Sequence, residues 1–432
     1  MTETINLDYI TKIEGHAKLQ VILKKGKVED VNLEVFEGAR FFEGLVTGMP
    51  ISRVPVVTSR ICGVCSYAHM IASCMAIENA YNVKVTEQTI KLRKLLILAS
   101  SIQSHVIHIF FMALPDYYGY DGAVTLAKKK PEMIKLALKI KQLVNDILIV
   151  VSGREIHAVT ATLGGFEKLP KQEELDNLCK QLKEYEQEML DEFLKIFPKL
   201  EKSDFETDCD FISLSGEFYA NIVNENKDKI LSLTGDEFVI EDYKEHLKEY
   251  IKEYSSAKFI KMHDKTIMTS SLARINHYHT RLSKKAKILL DAIGLSIPNK
   301  SPINNNLCQA VEIIHFYNAC VAILESLKIV EERPVEVKVT GPAVGLAAVD
   351  VPRGILFHEY HINEKGNVTE CNIITPTTQN ISNIEKDLIE FLPHVLDRKK
   401  EKIVLFIEKV VRSYDPCISC STHFLEIDWQ EE

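Results

Sequence analysis

Apolar residues fall at every second position through Ala17, Leu19, Val21 and Leu23, and again through Val31, Leu33 and Val35. Between the two runs lies Lys24-Lys25-Gly26-Lys27. Alternation turns one face inward and a glycine-containing turn reverses the chain, so the segment is predicted to be a β-hairpin. From Glu87 the period lengthens to that of a helix, with Leu92, Leu95, Leu96, Ile102, Val106 and Phe110 on one long apolar element ending near Pro115. Pro131 stands where a first-turn proline belongs, and the stripe through Ile134, Leu136, Ile140, Leu143, Ile147 and Val151 stops at Gly153. A further helix over about 170–196 carries Leu175, Leu178, Leu182, Tyr185, Leu190 and Phe193 opposite a charged face, which predicts a peripheral position.

Residues 201–270 show no clean period. Beyond them the pattern is helical over 306–329, returns to short strands over 335–374, and ends in two helices over about 381–392 and 400–412. Strands near both ends with long helices between them predict an α+β architecture, predominantly α-helical. No repeat or linker divides the chain, so one domain is expected.

Composition narrows the function. The chain has 432 residues, 46% hydrophobic and 26% charged, which fits a globular protein with a sizeable core and excludes a disordered or disulfide-scaffold reading. The formal charge of −9, spread along the chain, gives no reason to expect nucleic acid or an anionic membrane as partner. The most apolar region, 95–114, is interrupted by serines, Gln103, His105 and His108, and is predicted to be a buried helix rather than a membrane span. Residues 1–8 hold no export signal, which makes the cytoplasm the expected compartment.

The cysteines carry the chemistry. Cys74, Cys179, Cys209, Cys308, Cys320 and Cys371 stand alone and read as small apolar residues. Cys62/Cys65 and Cys417/Cys420 form two Cys-x-x-Cys pairs near opposite ends of the chain. A two-residue gap lets both thiolates of a pair converge on one ion, so two pairs suit a soft cation bound by four sulfurs. A structural zinc is the simplest version. Yet a chain with so large an apolar core needs no metal clip to fold, and joining its two ends through one metal points to a reactive centre instead.

Arg60-Ile61-Cys62-Gly63-Val64-Cys65 followed by His69, with Asp415-Pro416-Cys417-Ile418-Ser419-Cys420 followed by His423, resembles the paired signatures of the nickel-iron hydrogenase large subunit. Lys12-Ile13-Glu14-Gly15-His16 is similar to that family's N-terminal Arg-Ile-Glu-Gly-His, with Lys in place of Arg. Glu37 to Glu43, Pro352-Arg353-Gly354 and Pro376 to Asn380 resemble, in turn, its second-metal segment and two active-site loops. Within the family, Leu114 to Tyr120, Asn304 to Glu312 and the Cys417 to His423 ending look most like the cytoplasmic NAD(P)-linked sulfhydrogenase α subunits.

The resemblance implies the large-subunit fold, a long central helix bundle with small peripheral β-sheets, as one domain over 1–423. Residues 424–432 would be a C-terminal tail removed on maturation by a protease, after a chaperone has delivered nickel. Cys62 and Cys417 would be terminal ligands of nickel, and Cys65 and Cys420 would bridge it to an iron carrying carbon monoxide and cyanide. Cys417 is expected to take the first proton from dihydrogen and Glu14 to carry it away. Arg353, oriented by an ion pair with Asp116, would stand over the metals beside Pro352, with Thr377 donating to a cyanide. Glu43, the carbonyl of Ile373 and His423 would hold a magnesium or second iron.

His105 and His108 are expected to be hydrogen-bonded core or interface residues, and His157 at most a neighbour of the site. No phosphate-cradling glycine loop and no further cysteine set is present for a flavin, a nicotinamide or an iron-sulfur cluster. Electrons are therefore expected to leave through an iron-sulfur small subunit, then a flavin/NAD(P) subunit and a ferredoxin-like subunit. Competing readings are a deazaflavin- or heterodisulfide-linked hydrogenase, a non-catalytic relative, and a zinc-stabilised scaffold.

Overall fold

The computed structural model describes residues 2–36, 41–216 and 229–422. The predicted hairpin is present as Ala17–Lys24 and Lys27–Val35. Its two-residue turn holds Lys25 and Gly26 at φ 53° and 76°, the left-handed pair that matches the twist of a tight hairpin. Thr2–Leu7 adds a third antiparallel strand that the sequence reading did not find, because so short a run at the terminus shows little alternation.

Four long helices form the centre of the molecule: Glu87–Ile107, Pro131–Ser152, Gln172–Ile196 and Asn305–Ser326. The first packs on the second and fourth, and the third closes the bundle against those same two. The Thr86 hydroxyl caps the first helix by accepting the Thr89 N–H at 3.1 Å, and a π-helical stretch over His108–Ala113 carries the chain on to Leu114–Tyr117. Pro131 opens the second helix and Gly153, at φ 81°, closes it. Two helical stretches, Glu87–Tyr117 and Pro302–Ser326, are long and apolar enough to cross a membrane, but 83% and 78% of their most apolar windows are buried inside the protein. They are therefore covered by other helices of the same chain.

Residues 201–270 hold small sheets. Asp210–Leu214, Lys229–Ser232, Glu237–Val239 and Ile267–Met268 make a four-stranded sheet, and Leu247–Ile251 pairs with Lys258–Met262. The first of these strands is buried on both faces, which removes the alternation that would have revealed it.

Three elements position the site. The helix Ser66–Ala80 follows the first cysteine pair; it is buried on every side from Ser66 to Glu78, so it shows no amphipathic stripe and was not predicted. A three-stranded meander, Ala343–Val351, Gly354–Ile362 and Val368–Ile374, lies against it. At Gly345 a Cβ would come 1.9 Å from the Ala76 carbonyl oxygen, so only glycine lets strand and helix meet. Register pairs Val351 with Gly354, leaving Pro352 and Arg353 alone at the tip of a tight hairpin. The third element, the helix Pro376–Phe391, begins five residues before its predicted start, and Pro376 to Asn380 form its first turn rather than a loop.

Candidate metal centre

Cys62 and Cys65 lie between the short helix Val54–Thr58 and the helix Ser66–Ala80, and Cys417 and Cys420 follow the helix Lys400–Ser413. The fold brings all four thiols within 4.8 Å of one another, each buried. Cys62 Sγ lies 3.4 Å from Cys417 Sγ, which lies 3.0 Å from Cys420 Sγ. Cys65 N–H donates to Cys62 Sγ at 3.5 Å.

Four anionic sulfurs cannot share so small a buried volume without a counter-charge. The protons distribute accordingly. Hydrogen bonds from Cys417 and Cys420 lower Cys62, and the same donors, with Cys62 and the Arg353 charge, lower Cys65 further. Burial and the neighbouring sulfurs hold Cys417 well above a thiol's ordinary value. A soft cation would make all four thiolates, and this donor set is the one such a cation selects.

The first and last parts of the chain meet here. Glu14 forms a parallel bridge with Cys417: the Ile418 N–H donates to the Glu14 carbonyl at 2.9 Å. The Glu14 carboxylate accepts the Cys417 thiol at 3.1 Å and the Ser419 N–H at 3.1 Å through the same oxygen, Oε2. Glu14 is half-buried, so it touches both the sulfur and the edge of the site.

From the hairpin tip, Arg353 donates to Cys65 Sγ at 3.3 Å. Its expected partner was Asp116, and the structure corrects this. Asp116 is taken by Lys12 at 2.5 Å and by Arg412 at 2.6 Å, whereas Arg353 pairs with Asp415 Oδ1 at 3.0 Å and donates to the Asp415 carbonyl at 2.6 Å. Asp415 sits two residues before Cys417 with φ 50°, a left-handed backbone that turns its carboxylate back over the hairpin. Burial opposes the Arg353 charge, but the Asp415 carboxylate and the readily ionised Cys65 outweigh it, and the guanidinium stays protonated. Arg274, bidentate on Glu312, holds the hairpin from behind by donating to the carbonyls of Val351 and Pro352 at 3.0 and 2.8 Å.

The Thr377 hydroxyl accepts the Cys417 N–H at 3.0 Å and keeps its own hydrogen for another acceptor. His69 Nε2 lies 3.8 Å from Cys420 Sγ. His105 and His108 are core residues as expected, the first on Glu312 at 2.9 Å and the second on Gln309 at 2.6 Å and the Arg412 carbonyl at 2.9 Å.

A second polar cluster surrounds Glu43. Its carboxylate accepts the Ile373 N–H at 2.8 Å and faces Lys258 Nζ at 3.3 Å, an ammonium that also meets Glu249 at 3.1 Å and Asn372 at 3.3 Å. It is the Ile373 amide hydrogen that binds Glu43. Among the described residues, the cation that meets the oxygens of Glu43, Glu249 and Asn372 is the Lys258 ammonium. His423, Glu37 to Arg40 and residues 424–432 lie outside the described residues.

Sequence reasoning missed Asp415 as the Arg353 partner and gave His69 no role, although both stand within the quoted motifs. His358, described below, carried no local signal.

Together these features define a buried four-thiol cluster suited to a transition-metal centre, with a carboxylate on one sulfur and a guanidinium over another. The nickel-dependent hydrogenase family matches residues 40–142 and 242–423, and a HoxL-like profile matches residues 4–37. Sulfhydrogenase 1 subunit alpha of Pyrococcus furiosus is 31% identical, over 98% of each chain. NAD-reducing hydrogenase HoxS subunit beta of Cupriavidus necator is 26% identical, over 98% of this chain and 96% of its own. A solved NAD+-reducing NiFe-hydrogenase has the same fold, with a TM-score of 0.84 at 23% identity over 98% of this chain and 99% of that one. The chain belongs to the nickel-dependent hydrogenase family and has the fold of its large subunit.

Proposed function

We propose that this chain is the catalytic large subunit of a soluble hydrogenase that cleaves dihydrogen reversibly and heterolytically, yielding protons and electrons. The observation that carries this reading is a carboxylate hydrogen-bonded to one thiol of a buried four-thiol cluster. Uneven splitting of dihydrogen needs an electrophile beside a base, and a metal-bound thiolate is such a base. The nickel-iron centre, with carbon monoxide and cyanide on iron, supplies the electrophile when bound.

In this scheme Cys62 and Cys417 would hold nickel alone, and Cys65 and Cys420 would hold nickel together with iron. Cys417 Sγ accepts the proton and passes it to Glu14 Oε2, across the 3.1 Å contact already present. Arg353 keeps its charge beside Cys65 and stabilises negative charge developing on its side of the centre. Asp415 fixes the plane of that guanidinium, and Thr377 holds the Cys417 amide and would offer its hydroxyl hydrogen to a cyanide of the bound centre. At a second site, Glu43 with the Ile373 carbonyl and His423 would hold magnesium or iron in the place of the Lys258 ammonium that meets Glu43 in this structure.

We assign electron exit to an iron-sulfur small subunit, and onward transfer to a flavin subunit that reduces NAD(P), with a ferredoxin-like subunit beside it. The resemblance of residues 114–120 and 304–312 to the sulfhydrogenase group supports this route. Ten cysteines without a disulfide suit a cytoplasmic setting. Residues 1–423 act as one domain in this scheme, and 424–432 leave after nickel insertion. Purification of the native complex, with metal analysis and hydrogen-dependent reduction of NAD+, NADP+, a deazaflavin and viologen dyes, tests the whole reading. Nickel with hydrogen-dependent NAD(P) reduction is expected. Zinc in place of nickel would end the hydrogenase reading, and reduction of deazaflavin alone would end the NAD(P) assignment.

A further inference from the structure

Behind the bridging thiol Cys420 runs a chain of side chains that the reaction scheme does not use. His69 Nδ1 lies 3.0 Å from His358 Nε2, His358 Nδ1 lies 2.6 Å from the Tyr360 hydroxyl, and that hydroxyl lies 3.1 Å from Ser73 Oγ. The near end is His69 Nε2, 3.8 Å from Cys420 Sγ. Every member is buried to within 3% of complete.

The chain arises from two periodicities that interlock. His69 and Ser73 are four residues apart on the helix Ser66–Ala80 and share one face; His358 and Tyr360 are two apart on the strand Gly354–Ile362 and share one face. Packing that helix on that sheet alternates the four groups into one file.

A neutral imidazole carries a single proton, and in a site this dry each ring nitrogen must find its partner among protein groups. Whether Nε2, the nitrogen that faces the sulfur, carries the hydrogen therefore depends on what Nδ1 meets. We infer that His358 is a positioning residue for the metal centre: it sets the ring orientation and tautomer of His69, and through it the hydrogen bond to the bridging sulfur, with Tyr360 and Ser73 anchoring the far end. This inference rests on the bridging role proposed for Cys420. Groups that orient a ligand's hydrogen-bond partner tune the metal, and their loss costs about ten- to a hundredfold in affinity or activity.

The test compares His358→Leu, His358→Gln and Tyr360→Phe in the purified complex by nickel and iron content, by the infrared stretching bands of the iron-bound carbon monoxide and cyanide, and by hydrogen turnover. His358→Leu is expected to shift those bands and to lower turnover about tenfold at unchanged metal content. His358→Gln, whose amide offers both a donor and an acceptor, is expected to restore them. Bands unmoved in His358→Leu, or a glutamine variant no better than the leucine one, would overturn the inference. Should His358→Leu fail to take up metal, Tyr360→Phe carries the test, since it removes one hydroxyl: shifted bands support the inference and unmoved bands overturn it. Absence of these bands in the parent complex would instead overturn the hydrogenase reading, and this inference with it.

Discussion

Glu14 and Cys417 are joined twice, once by the Cys417 thiol on the Glu14 carboxylate at 3.1 Å and once through the backbone, where the Ile418 N–H meets the Glu14 carbonyl at 2.9 Å. The backbone link fixes where the carboxylate sits, and the Ser419 N–H on Oε2 fixes which way it points. Glu14→Gln keeps the shape and the acceptor for Ser419 but cannot take a proton. Hydrogen turnover should fall by at least about a hundredfold while nickel content stays the same. Turnover near that of the parent would remove Glu14 from the proton route.

Arg353 meets Cys65 with one nitrogen of its guanidinium and Asp415 with another. Lysine at position 353 keeps a charge but loses the planar fork that meets both partners at once. Arg353→Lys should lower turnover about a hundredfold with both metals retained, and Asp415→Asn, which leaves the backbone carbonyl contact intact, should cost less. If Asp116→Asn harmed turnover more than Asp415→Asn, the pairing described here would be wrong.

Replacing a bridging sulfur should be more severe. Cys65→Ser puts a poorly ionised hydroxyl where the cluster most readily forms a thiolate. The purified variant is expected to hold neither nickel nor its iron partner. Metal analysis showing both in place would contradict a bridging role for Cys65.

A different carboxyl gives a pH signature independent of the metal. Burial pushes Asp387 up to about 7, against which the hydrogen bonds from Thr207 and Tyr414 work only in part. Unfolded, the same group ionises near about 4. Between these values the folded chain holds a proton that the unfolded chain has lost, so stability falls as pH rises from about 4 to about 7, by up to about 4 kcal/mol, and stays reduced above that. Asp387→Asn, which still accepts the Tyr414 hydroxyl, should be more stable than the parent at pH 8 and no more stable at pH 4. Parallel urea-unfolding midpoints across that range would refute the assignment.

What could be read from the chain alone divides along physical lines. The hairpin at Lys25-Gly26 and the helix from Pro131 to Gly153 announced themselves because each is apolar on one side and ends in a residue with one conformational use. The helix Ser66–Ala80 and the strand Asp210–Leu214 stayed hidden because burial on all sides leaves no period to detect. At the site, paired cysteines were visible since a ligand pair must be close in sequence. The partnership of Arg353 with Asp415 was not visible, because Lys12 and Arg412 compete for Asp116 and only the fold decides which acid each base meets.

The bridge between Glu14 and Cys417 also bears on how such a site can be made. Its two sides are separated by almost the whole polypeptide, and the last pair of sulfurs leaves the ribosome after every helix of the central bundle. A nascent chain can fold much of its core while the binding pocket still lacks half its walls. An ion held by all four sulfurs would therefore be enclosed only once residues 415–420 meet the segment around Glu14, which lies between the strands Thr2–Leu7 and Ala17–Lys24.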